Sequence, residues 1–358
     1  MANAIPNLSR KILAVVKTEA TYGSTAFGAS GAAAATADLQ GVSSSAMLLY
    51  EEMNPISIDT TVVELSPLRA SYSKFQDLIG RQLFGVMLKA ELTNAFGSGS
   101  TGASATHART NHPPFIAPLL KACALQETAS SSGSGSIYGS VTYKPRSSGF
   151  QSCQARIWLD SAMHDIMGMY GTCVFEASAG AGFSVSFDMK GRYLAPVQQT
   201  IPTTVTYPED KRVLVATEAL TITPAGGSPY EPIVRSFKLD IGNNLIERSD
   251  MNTARGFFGM FIADRKPTLE MTVEMDLLTN FNPLEHISSS AGVSTTHKIK
   301  FLHNSQPNSI AFLIPKAQLT NVQYQDDSGI RTYQLSYNIV SDADDDDFTI
   351  TFCGGLPA

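Results

Sequence analysis

The chain has 358 residues, only 16% of them charged, a formal net charge of −6 and four cysteines. That length admits two domains or one large one, and the acidic balance argues against a protein that grips nucleic acid by neutralising phosphates. It leaves room for a surface that stays near DNA without sticking to it. No apolar run reaches the 18 residues of a membrane-crossing helix. The start MANAIPNLSRK lacks the apolar stretch of a secretory signal, so synthesis and retention in a cytoplasm are expected. Cys123, Cys153, Cys173 and Cys353 show no CxxC spacing, which predicts free, mostly buried thiols.

Taken in order, Ile12 to Val16 is a short apolar stretch, and Tyr22 to Ala46 is rich in Ala, Gly and Ser. So little bulk reads as an extended arm that orders against a neighbour. Ile56 to Leu65 reads as a strand. Pro67 is placed to open a helix through Ser71, Phe75 and Leu78 that ends at Gly80, with proline in the first turn and glycine past the end. In RQLFGVMLKAELT, Phe84, Val86, Leu88, Ala90 and Leu92 alternate with Met87, Lys89, Glu91 and Thr93, the period of a half-buried strand. Gly97 to Pro114 is a polar loop, and LLKACALQE after Pro118 is a short helix burying Leu119, Leu120, Cys123 and Leu125. Ser130 to Gly139 reads as a flexible connection.

From Ser140 to Pro196 strand signals are dense. Val141 with Tyr143, and Ala155 with Ile157 and Leu159, alternate before a turn at Asp160 and Ser161. Thr172 to Ser178 and Phe183 to Lys190 flank the small-residue turn Ala179 to Gly182 as a hairpin, with Phe183, Val185, Phe187 and Met189 facing the core. Pro196 to Asp210 carries three prolines and no period, so the domain boundary falls there. Val213 to Ile222 and Ile233 to Ile241 read as strands, and Asn244 to Phe258 as a polar stretch that projects from the body.

Next comes the strand that organises the chain. From Leu269 the odd positions are apolar (Leu269, Met271, Val273, Met275, Leu277), and the even ones are polar (Glu270, Thr272, Glu274, Asp276). An irregular stretch follows to about Thr296. Gln318 to Tyr324 and Arg331 to Val340 then flank Asp326 to Gly329 as a second hairpin, with Tyr333, Leu335, Tyr337 and Ile339 on one face. The acidic turn Asp344 to Asp347 precedes a last strand, Phe348 to Phe352. A displacement of 183 residues lays Val86 on Leu269, Leu88 on Met271, Ala90 on Val273 and Glu91 on Glu274. One of 150 lays Phe183 to Met189 on the row from Tyr333. Together they suggest an internal duplication.

Catalytic motifs find no support. GSGSTG (97–102) fits a dinucleotide-binding spacing, but ASATHARTNHPP after it cannot start the helix that such a site needs. His107, His112, His164, His286, His297 and His303 lack the convergent spacing of zinc ligands, so no metal, cofactor or catalytic residue is expected. The acidic face of the organising strand is either an ordinary solvent face or the lining of a passage for a polyanion. Alternate side chains on one strand face lie about 7 Å apart, close enough to hold a negative potential that phosphates avoid.

Several segments resemble the tail tube (major tail) proteins of long-tailed, non-contractile bacteriophages. They are SFKLDIGNNLIERSD with IADRKPTLEMTVEMD, the hairpin FEASAGAGFSVSFDMKGRYLAP, the C-terminal IPKAQLTNVQYQDDSGIRTYQLSYNIVSDADDDDFTITF, and the short helix in PFIAPLLKACALQE. The resemblance implies a mainly β chain assembled into stacked rings around a channel for genome DNA. Most such proteins are shorter and form hexameric rings. Here two tandem tail-tube-like β-sandwich or barrel domains are expected, residues 1–205 and 206–358, with short flanking helices and extended loops, in a trimeric ring with pseudo-sixfold symmetry. Glu270, Glu274, Asp276 and Glu91 are the candidate lumen-facing residues. The expected partners are other copies of the chain, further tail proteins at the tube ends, and phage DNA passing without specific binding, in a virion tail assembled in the host cytoplasm. Another self-assembling virion or surface protein, such as a capsid decoration or a pilus-like subunit, is the second reading. A β-sandwich hydrolase or carbohydrate-binding module is the third, weakened by the single tryptophan, Trp158.

Overall fold

Apolar and polar residues alternate through most of the chain, and strands follow from that period. The computed structural model describes residues 12–27, 46–47, 55–66, 68, 70–71, 73–92, 116–130, 140–201, 215, 218–253, 256–287, 295–305 and 308–353. In the first half the elements are β1 (Ile12–Thr18), β2 (Ala46–Met47), β3 (Ile56–Val63), β4 (Leu78–Glu91), α1 (Ala117–Ala122), β5 (Leu125–Ser130), β6 (Ser140–Pro145), β7 (Cys153–Leu159), β8 (Ala162–Ser178), β9 (Ser184–Arg192) and β10 (Val197–Gln198). In the second they are β11 (Glu218–Pro224), β12 (Val234–Asp240), β13 (Asn243–Ser249), β14 (Phe257–Arg265), β15 (Thr268–Glu274), α2 (Pro283–Ile287), β16 (Thr296–Ser305), β17 (Asn308–Asp327), β18 (Ile330–Ile339) and β19 (Thr349–Cys353). The fold is mainly β.

Eight of these strands form one antiparallel sheet in the order β17, β18, β15, β12, β8, β9, β4, β3. Its apolar face covers the main core. β8 and β17 are long because each also belongs to another sheet. The first part of β8 pairs with β7 and β10, and β7 with β1; the first part of β17 pairs with β16 and β19, which continue to β11, β6 and β5. Each long strand is bulged where it crosses, near Gly168 and near Thr320. At Gly168 the backbone adopts φ +63°, which glycine tolerates at little cost.

The two halves repeat one another strand by strand. The paired sequence β1–β7–β8–β9–β4–β3 reappears as β11–β16–β17–β18–β15–β12, with the strands in the same chain order. The 183-residue displacement holds at the level of register. Ile56 faces Val86 and Ser57 faces Gly85, while Leu239 faces Leu269 and Asp240 faces Thr268. Beyond a break at Lys266 and Pro267, Leu245 faces Ile262 as Val62 faces Ile79. The second displacement is 148 rather than the expected 150: Val185, Phe187 and Met189 sit against Ala90, Leu88 and Val86 as Tyr333, Leu335 and Tyr337 sit against Val273, Met271 and Leu269. Pattern matching alone missed this two-residue slip, because a shift of two keeps every side chain on its own face.

The halves are nonetheless joined. β8 pairs with β12, and β6 with β19. Phe175 and Phe183 from the first half pack edge-on or tilted against Phe301 and Phe312 from the second, at ring separations of 5.3–5.8 Å. Phe237 lies 4.9 Å from Phe301.

Other expectations change. Ser73 to Asp77 is irregular, and Leu78 to Gly80 belong to β4, not to a helix from Pro67; β3 supplies hydrogen-bond partners that extend the strand through this stretch. Asn244 to Phe258 is not a polar projection but most of the β13–β14 hairpin, whose Phe257, Met260 and Ile262 pack with Leu83, Ala124 and Tyr170. Residues 22–27, expected to open an extended arm, are instead packed on the body. Tyr22 stacks on Tyr170 and Phe258 and accepts a hydrogen bond from the Met260 N–H, and Phe27 is buried. Residues 28–45, the loop 97–114 and the connection 131–139 lie outside the described residues. Strand β15 stops at Glu274, leaving Met275 and Leu277 exposed. Strand β16 and the first half of β17 had no counterpart in the sequence reading. Cys123, Cys153 and Cys173 are buried free thiols.

Candidate functional site: the polar face of the eight-stranded sheet

Strand alternation commits one face of the large sheet to the core and the other to solvent. The core face carries Val86, Leu88, Phe187, Phe175, Leu239, Met271 and Leu335, all buried. On the opposite face one row crosses seven strands in register: Glu91, Ser184, Glu176, Lys238, Glu270, Ser336 and Asn321. A neighbouring row reads Lys89, Ser186, Val174, Asp240, Thr268, Asn338 and Gln318. Hydroxyl and amide side chains fill half of the positions in these two rows. The charges on this face include Glu91, Glu176, Asp188, Asp240, Glu270 and Glu274 against Lys89, Lys190, Lys238 and Arg235.

The four sequence-predicted residues fall into different settings. Glu91 and Glu270 share the first row, four strand spacings apart, or about 19 Å at about 4.8 Å per strand. Between them Lys238 Nζ lies 3.8 Å from Glu176 Oε1; both side chains are substantially exposed, so that pair contributes little to stability. Glu274 shares the face but is held at 2.9 Å by Arg235, which also binds Asp327. Asp276 lies past the end of β15. Its carboxylate accepts hydrogen bonds from Asn280, the Leu277 N–H and the Tyr230 hydroxyl, and the Asn280 amide above all holds its pKa below the usual carboxylate value.

Two side-chain clusters elsewhere went unread in the sequence. His297 is fully buried, with Nδ1 3.0 Å from the Tyr337 hydroxyl and Nε2 2.9 Å from His286 Nδ1. Burial, reinforced by His286, pushes its pKa down to about 4. Arg265 reaches Asp345 and Asp347 at 3.3 and 2.8 Å, so part of the acidic turn Asp344 to Asp347 anchors β14. Asp347 is buried. Among the described residues no group of three or more His, Cys, Asp and Glu side chains gathers as a metal site, and no helix is long and apolar enough to cross a membrane. The stretch 97–102 and His107 and His112 lie outside the described residues.

A broad sheet that is dry on one face, and hydroxyl-rich and mildly acidic on the other, belongs to a structural β protein whose organised surface is the sheet itself. The chain belongs to the phage tail tube protein family, whose model matches residues 9–285. A comparison with curated proteins finds no match. Family membership makes it a structural component of the virion tail that self-assembles into a tube and contacts other tail proteins.

Proposed function

We propose that each chain contributes two tail-tube-like modules, residues 1–205 and 206–358, to a trimeric ring, and that stacked rings form the conduit for genome DNA, without catalysis. The observation that carries this reading is the repeated quartet of strands. β8–β9–β4–β3 and β17–β18–β15–β12 supply two equivalent four-stranded units within one sheet. Three copies then make 24 strands. At about 4.8 Å per strand and a tilt of up to about 45°, the backbone circle is about 37–52 Å wide. Two copies give only about 25–35 Å, and inward side chains remove roughly 10 Å from either figure. Three is therefore the smallest number that leaves clearance for a hydrated duplex.

The polar face lines the bore in this arrangement, because the other face is committed to the core. Its excess of carboxylates over cations, Arg235 included, repels phosphates and keeps the passing strand from binding, and its hydroxyls offer weak, exchangeable contacts. Single rings viewed end-on by electron microscopy should show three chains and six modules; six chains per ring, or closed shells, would overturn the stoichiometry or the tube. Glu270→Lys, which adds a cation to the lining without touching the core, should permit tubes but slow DNA ejection. Ejection at the normal rate from tubes of this variant would place Glu270 outside the bore.

A further inference from the structure

The joint between the two halves is a template for the joint between copies. Within the chain, β8 of the first quartet pairs antiparallel with β12 of the second: Phe175 stands opposite Leu239, Val174 opposite Asp240, and the Ile241 N–H donates to the Cys173 carbonyl at 3.1 Å. The strand equivalent to β12 in the first quartet is β3, with Ile56 for Leu239 and Ile58 for Ile241. The strand equivalent to β8 in the second quartet is the end of β17. Tyr324 stands opposite Tyr333 as Phe175 stands opposite Val185, so Tyr324 matches Phe175 and Val322 matches Cys173.

Both of these equivalent strands have an open edge. Among the described residues β3 pairs with β4 alone, and β17 beyond Asn321 pairs with β18 alone. The Pro55 carbonyl accepts the Met87 N–H, so by alternation along an antiparallel strand the amide groups of Ile56 and Ile58 point away from β4, toward the open edge. Side chains agree with backbones. Leu239, Ile241, Phe175 and Cys173 are 0% exposed in the internal joint, whereas Ile58 is 49% and Tyr324 is 54% exposed. Ile58 and Tyr324 thus sit exposed at two of the four positions that the internal joint buries, while Ile56 and Val322 are half-buried, on edges that would otherwise invite indiscriminate pairing.

We propose that β3 of one copy pairs antiparallel with the Asn321–Asp327 end of β17 in the next copy, in the register of the internal joint: Ile56 opposite Tyr324, Ser57 opposite Gln323, and the Ile58 N–H donating to the Val322 carbonyl. The occupant of each open edge is therefore a second copy of this chain, held head to tail, a contact that closes into a ring when the rotation permits. The inference rests on the tube reading above and adds to it which edges meet and at which residues.

Ser57 and Gln323 form a non-hydrogen-bonded pair in this register, where Cα atoms approach to about 4.5 Å, within the range that a disulfide spans. The double variant Ser57→Cys with Gln323→Cys, assembled and then oxidised, should run on non-reducing gels as a ladder ending at the ring's copy number. Wild type, each single variant, and Ser57→Cys with Gln325→Cys, two residues out of register, should remain monomeric on the same gels. Ile58→Pro removes an N–H that β4 does not use, so the monomer should keep its circular dichroism and melting temperature while tubes are lost. Tubes that assemble without the Ser57–Gln323 cross-link, a cross-link in the Ser57→Cys single variant, which signals two β3 edges meeting, or tubes built from Ile58→Pro would each overturn this pairing and leave the tube reading standing. A wild-type chain that stays monomeric at every concentration would overturn both.

Discussion

His297 shows how one residue can set a pH limit on the whole fold. The Tyr337 phenol, buried and with its pKa raised by that burial, keeps its proton and donates to His297 Nδ1. Nε2–H then donates to His286 Nδ1, whose own pKa is lowered by burial. Protonating His297 would make both ring nitrogens donors, force the Tyr337 hydroxyl from donor to acceptor, and place a charge in the core. The sign follows: an unfolded histidine titrates near 6.5, the folded one at about 4, so between those values the unfolded chain binds more protons and stability falls as pH falls. From pH 7 to pH 5 the loss should be about 2 kcal/mol, measured by urea unfolding. His297→Asn should flatten that slope; an unchanged slope in the variant would place the titrating group elsewhere.

At the scale of elements, the stacked-ring proposal gives the β13–β14 hairpin a testable role, because it carries exposed apolar side chains for a neighbouring ring to meet. Arg81 of β4 binds Glu247 of β13, and Tyr22 wedges against Gly259, where any Cβ would collide with the phenol. Met251 in the turn at its tip is almost fully exposed, and Ile246 midway along β13 is 45% exposed. Met251→Glu with Ile246→Lys should leave folding unchanged within about 0.5 kcal/mol, since neither side chain is buried, yet yield rings that fail to stack. Tubes of normal length on microscopy would remove the hairpin from the ring contact. The sequence revealed this region only in part. Strong alternation in β4, β9, β15 and β18 was legible because each has one wet face. β7 is buried on both faces except at its end, and β16 carries His297 and His303 inward, so the two-residue period that marks a strand is weakened or disguised there. β13 is exposed on both faces from Ile246 to Ser249 and reads as loop until its partner strand is known. The acidic face was legible residue by residue, but the row linking Glu91 to Glu270 depends on the β8–β12 pairing, a long-range register that no local pattern encodes.

For the whole molecule, the question is whether the two repeats act as beads on a string or as one cooperative body. Their shared features favour one body: β8 hydrogen-bonds to β12, β6 completes a sheet with β19, and Phe175, Phe183, Phe237, Phe301 and Phe312 form a single aromatic cluster drawn from both halves. Removing the ring of Phe312, which touches residues from both repeats, deletes buried area and leaves a cavity, at a cost of about 3–5 kcal/mol. Because the cluster is common property, that loss should fall on both repeats equally. Urea unfolding of the monomer should therefore be a single transition by fluorescence and circular dichroism alike. Phe312→Ala should lower its midpoint and also speed amide exchange in β9, which lies in the other half of the chain. Residues 1–205 and 206–358 made separately should not fold, since each would expose half of the cluster and an unpaired strand at β8 or β12. Two resolved transitions, or exchange in β9 indifferent to Phe312→Ala, would show that the repeats are independent. A ring built from single cooperative chains has an advantage that follows directly: half of its module contacts are already formed by folding, so assembly has to overcome the entropy of association at only the remaining half.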